Sequence, residues 1–180
     1  MKEDRSVVVT LYEGIVKKTV RGFGRSRLSW IVSPEEMVDR EIRALEMLEG
    51  VYNVQRFVKR EDDDTFYTRH VPGTSLKNFK RSLDREYFER LEEIVIKCQE
   101  KGVYRIGQNR DDFIVGPNET PRVIDFGNII FADDKITKFP GVLNLARKYS
   151  DLRLADLRRR YVSNDKNISG GIPVLVENYI

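Results

Sequence analysis

Cysteine and histidine are almost missing from this chain: Cys98 and His70 stand alone among 180 residues. A single thiol excludes an intrachain disulfide, and one imidazole leaves almost no material for a zinc cage or a His-dependent triad. Chemistry here must run on Asp, Glu, Lys or Arg. Long apolar runs are also lacking. None approaches the roughly 18 residues of a membrane helix, and the start, "MKEDRSVVV", offers no stretch of signal-peptide length, so a cytoplasmic location is expected. With 40% hydrophobic and 34% charged residues the chain reads as globular, large enough for one good core or two small lobes around a cleft. The net charge of +3 permits an acidic substrate or a nucleotide. The basic run Arg147, Lys148, Arg153 and Arg158 to Arg160 lacks interleaved aromatics and any nucleic-acid motif, so it reads as a solvated helix face and no nucleic-acid partner is expected.

What is present begins with a hairpin pattern. "RSVVVTLYEGIVKKTV" is β-branched and broken once, at Glu13-Gly14, which predicts two strands in a small sheet. Ser33-Pro34-Glu35-Glu36 supplies an N-cap, a proline at the first helical position and a capping-box Glu, starting a helix to about Glu49 that stops at Gly50. Val38, Ile42, Leu45 and Leu48 form its apolar face. Glu41 lies on that same face, three residues after Val38 and four before Leu45, where a carboxylate needs a partner.

Two strand-like runs, "VQRFVKR" and "TFYTRHV", flank the acidic turn 61–64, and Pro72-Gly73 then breaks the pattern. A short helical segment is predicted near Ser75 to Leu83. A long helix follows from about Asp84 to Lys101, with Phe88, Leu91, Val95 and Cys98 on one stripe, which makes Cys98 a core filler. "FIV" and "RVID" read as short strands around Gly116-Pro117-Asn118, and a last helix runs from about Leu143 to Tyr161.

A small sheet with one helix, a Pro-Gly hinge and a mainly helical second half leaves a cleft where a small ligand can sit. In "RVIDFGN", Asp125-Phe126-Gly127 follows a strand and a long helix. The arrangement resembles the protein-kinase fold, a two-lobed α+β architecture, and in particular the compact bacterial kinases of the lipopolysaccharide-core and RIO-like groups. The resemblance covers residues 6 to 161. It implies an N-lobe over 1–68, a hinge at 69–73, a reduced C-lobe over 74–162 and a tail over 163–180.

The resemblance assigns roles. Asp125 matches the D-F-G aspartate that binds magnesium bridging nucleotide phosphates. About 18 positions earlier, where kinases carry their catalytic aspartate, stands Gly107, and about five further on, at the metal-binding asparagine position, stands Asp112. Arg105-Ile106-Gly107 thus replaces H-R-D. Glu41 matches the glutamate that pairs with the phosphate-holding lysine, which would be Lys18 or Lys17. Lys18 is preferred because Val16, two residues earlier, would face the cleft with it. The backbone of Arg69, His70 and Val71 would meet an adenine edge. A glycine-rich loop should precede the lysine strand, and Gly22-Phe23-Gly24 follows it instead.

The implied function is ATP and magnesium binding with absent or weak phosphotransfer, as in a pseudokinase. Two alternatives stay open. One is an active serine/threonine, sugar or lipopolysaccharide-core kinase, in which Asp111 or Asp112 substitutes as base toward an unidentified hydroxyl-bearing acceptor. The other is a non-catalytic interaction module with a protein partner.

Overall fold

The computed structural model describes residues 7–20, 33–107 and 109–162. The segment carrying Gly22-Phe23-Gly24, Gln108 and the tail expected over 163–180 lie outside the described residues. Strands β1 (Val7–Tyr12) and β2 (Ile15–Val20) form the expected hairpin around Glu13-Gly14, both in the left-handed region that a two-residue turn demands. Helix α1 (Pro34–Met47) follows, its first turn capped by the Ser33 hydroxyl, which accepts from the Glu36 amide at 3.1 Å. Strands β3 (Phe57–Arg60) and β4 (Thr65–Arg69) complete an antiparallel four-stranded sheet of order β1-β2-β4-β3.

Beyond the sheet, β5 (Thr74–Ser75) leads to α2 (Arg85–Glu100), β6 (Val103–Tyr104), β7 (Phe113–Val115), β8 (Pro121–Val123), β9 (Ile130–Phe131) and α3 (Val142–Tyr161). Strands β5, β7 and β8 make one small antiparallel sheet, and β6 pairs with β9. The expected helix between Ser75 and Leu83 does not form. Leu76 instead donates its amide to the Phe113 carbonyl at 2.9 Å, extending the β5–β7 ladder, and the Ser75 carbonyl accepts from Asn78 and Phe79 in a single turn. Burial of Leu76 on β7 outweighs the local helical pattern. The strand expected from Val54 starts only at Phe57, because the Gln55 amide turns to the Val123 carbonyl.

One continuous core joins both halves. It includes Val38, Ile42, Leu45 and Leu48 of α1, Phe66 of β4, Leu91, Val95 and Cys98 of α2, Phe126, Phe131 and Leu157 of α3. Each of the four α1 side chains is buried, a gain of about 1.5 to 3 kcal/mol apiece, so the helix is fixed chiefly by its apolar stripe. Gly73 lets the connection at 70–73 pass close to β7: a Cβ there would lie 2.4 Å from the Val115 carbonyl oxygen. Among the described residues no helix is long and apolar enough to cross a membrane.

Candidate nucleotide site

Strand β2 alternates half-buried and buried side chains, and Val16, Lys18 and Val20 share the inward face. Lys17 therefore points the other way, onto Tyr67 and into an ion pair with Glu61. Lys18 reaches α1, where its Nζ lies 2.5 Å from Glu41 Oε1, both side chains at most 10% exposed. The pairing explains the carboxylate on an apolar helix face and gives Glu41 to Lys18 while Lys17 pairs with Glu61. Burial pulls the Lys18 pKa down, but the charges of Glu41 and Asp125 outweigh it and the ammonium is held protonated well above its ordinary range.

Asp125 Oδ1 stands 3.4 Å from the same Nζ, and the Asp125 side chain is half exposed. The amide of the fully buried Phe126 points at Glu41 Oε1, 3.4 Å away. Lysine, glutamate and the Asp-Phe-Gly turn thus form one network across 107 positions of sequence. One residue past β8 the Ile124 amide donates to the Asp112 carbonyl at 2.8 Å, which continues the β7–β8 pairing and lays the 109–112 segment beside Asp125.

Arg105, Gly107, Asn109, Asp112, Asp125 and Asn128 line one small polar pocket. Asp112 is buried, with Oδ2 accepting from the Asn109 amide at 2.8 Å. Arg105 and Asp125 both have positive φ, 61° and 62°. Such conformations cost of order 1 kcal/mol and cluster at functional sites, and only the aspartate side chain favours them locally.

Gly107 also has positive φ, 71°, and a Cβ added there would sit 1.8 Å from Phe113 Cζ. The ring of Phe113 is itself fully buried. More than the carboxylate is absent here. This backbone leaves no room for one. Asp111 does not line the pocket: its carboxylate accepts from Lys77 Nζ at 2.8 Å and from the Ser75 hydroxyl at 3.0 Å. The Lys77 ammonium, helped by Ser75, holds the Asp111 carboxyl below its usual range, the opposite of what a base requires.

In the connection expected to form a hinge, two of the three expected backbone donors are committed within the protein. The Arg69 amide donates to Arg56 at 2.8 Å and the His70 amide to Gly14 at 2.9 Å. Among the described residues no bond occupies the Val71 amide.

A similar fold occurs in solved structures. A crystal structure of the Rio2 kinase from Chaetomium thermophilum, in an ADP/Mg2+-phosphoaspartate complex, matches with TM-score 0.57 and 15% identity over 95% of this chain and 59% of that one. A second structure of that kinase matches with TM-score 0.60 and 16% identity over 88% of this chain and 55% of that one. The fold is protein-kinase-like. This chain spans less than two thirds of the length of those kinase chains. Its sequence matches no family model and no curated protein.

Within the kinase-like fold, the residues that reasoning on sequence brought forward fall into two groups. Lys18, Glu41, Asp112 and Asp125 converge, while Lys17 and Asp111 point elsewhere. Sequence reasoning missed Arg105, Asn109 and Asn128 as pocket residues. Their adjacency to Gly107, Asp112 and Gly127 was the available signal. The donor set suits a hard cation: two carboxylates and two amide side chains line the pocket, and magnesium is commonly held by one or two carboxylates with phosphate and water oxygens completing the shell. Among the described residues no group of three or more His, Cys, Asp or Glu side chains could hold a metal.

Proposed function

We propose that this chain is a kinase-like domain that binds ATP with magnesium and transfers its phosphate weakly or not at all. In this reading residues 1–68 and 74–162 are its two lobes and 69–73 the hinge between them. Lys18, held by Glu41, takes the nucleotide phosphates; Asp125 and Asp112 hold the magnesium, which supplies charge neutralisation for the phosphates. Val71 offers its amide to the base.

The observation that carries this reading is the buried Lys18–Glu41 pair with Asp125 beside it and Asp112 in the same pocket. Such a network costs desolvation and is retained most readily where a charged ligand uses it. Weak transfer follows in this reading from Gly107: a base contributes about 10² to 10⁴ in rate, and a Cβ at that position would collide with Phe113. A Rio2 kinase with the same fold holds ADP and magnesium, which favours the same ligand class here.

Thermal melting with Mg-ATP tests the reading. The midpoint is expected to rise for the wild type and to stay unmoved for Asp125→Asn. An unmoved wild-type midpoint at millimolar nucleotide would sink it.

A further inference from the structure

Helix α1 is fastened at a second place, one residue from Glu41. Arg40 forks onto Asp134, with Nη1 2.9 Å from Oδ1 and Nη2 2.7 Å from Oδ2, and Nη2 also donates to the Ile129 carbonyl at 3.1 Å. Asp134 Oδ2 accepts in addition from the Phe131 amide at 2.9 Å. The Thr137 hydroxyl, within 2.7 Å of both the Ala132 and Asp134 carbonyls, stiffens the turn beneath. Arg43, one turn on, pairs with Asp133 at 2.6 Å, and both guanidinium groups lie over the buried Phe131 ring, at 5.0 and 4.2 Å. A bidentate Arg–carboxylate pair fixes direction as well as distance, and stacking on an aromatic face adds to it.

We infer that Arg40 and Asp134 are positioning residues: their clasp ties α1 to the chain just after Asp125-Phe126-Gly127 and thereby keeps Glu41 on Lys18. Consecutive helix residues rise 1.5 Å, so a clasp at position 40 leaves Glu41 little freedom to slide or turn. The anion that holds the helix is encoded as Asp134, with Asp133 beside it. The inference deepens the nucleotide-site reading and rests on it for its functional consequence.

The test measures Lys18 directly. Acylation by an amine-reactive reagent, followed residue by residue by mass spectrometry, compares Lys18 with its neighbour Lys17, which lies 40% exposed on the opposite face and serves as internal control. Asp134→Asn and Arg40→Gln are each expected to speed Lys18 labelling by roughly tenfold with Lys17 unchanged, and to weaken Mg-ATP by a similar factor. Arg40→Lys keeps the charge without the fork and should fall between; it decides the question if either stronger variant fails to fold. Lys18 labelling that stays at the wild-type rate in the folded variants overturns the clasp. Wild-type protein that binds no Mg-ATP overturns the nucleotide reading instead, and the labelling then still decides the clasp.

Discussion

At the scale of single residues, Gly107 and Lys18 carry opposite lessons. Restoring the carboxylate by Gly107→Asp places a Cβ in the Phe113 ring and a side chain at φ 71°. Denaturant unfolding is expected to show a loss of about 2 to 4 kcal/mol with no gain in phosphotransfer. Unchanged stability together with new activity would show that the loop adapts. At Lys18 the cost lies in an abandoned partner. Lys18→Met leaves the Glu41 carboxylate buried with its cation gone, a loss of about 3 to 5 kcal/mol, whereas Lys18→Met with Glu41→Leu should recover most of it. Equal losses for the single and double variants would contradict a tight buried pair. The sequence made Glu41 legible, because a carboxylate amid Val38, Ile42 and Leu45 has to be explained. It also ranked Lys18 over Lys17 through strand alternation. It could not place Asp111, whose direction is set by Ser75 and Lys77, more than 30 positions away.

At the scale of elements, α1 was the most legible piece, since its cap, its proline and its apolar stripe agree with one another. The stretch after Gly73 was the least. Its helical pattern yields to the ladder with β7, a long-range contact that no local rule encodes. The clasp between α1 and the chain before α3 was invisible for the same reason, with Arg40 and Asp134 standing 94 positions apart. It has a pH signature. Burial raises the Asp134 carboxyl, but the Arg40 guanidinium and the Phe131 amide more than offset this and hold it below its usual range. A carboxyl lowered by folding contributes stability above its unfolded pKa, about 4, and loses it as pH falls through the folded value. The stability difference between wild type and Asp134→Asn is thus expected to hold steady from neutral pH to about 5 and to close below about 4. A difference independent of pH down to about 3 would mean that the charge of Asp134 is not what binds Arg40.

At the scale of the whole molecule, the kinase-like trace was legible because order and spacing survive where individual letters do not. Asp112 and Asp125, singled out by their spacing, line one pocket, and the connection at 70–73 joins the four-stranded sheet to the rest of the chain. The glycine at position 107 was legible only as a missing carboxylate. That Phe113 fills the space emerges from packing alone. In the proposed reading the molecule pairs a charged, preassembled phosphate side with a base position closed by Phe113. Binding without efficient transfer is the expected behaviour, since phosphoryl transfer depends on positioning and charge as well as on a base.

The most direct measurement is a calorimetric titration of the intact chain with ATP, in the presence and absence of magnesium, beside the same titration of Asp125→Asn. Saturable binding that requires magnesium and disappears in Asp125→Asn is the predicted result, accompanied at about 100 times the Kd by a stabilisation of about 2.7 kcal/mol. Binding no weaker without magnesium or in Asp125→Asn, or no binding by the wild type at millimolar ATP, would contradict it.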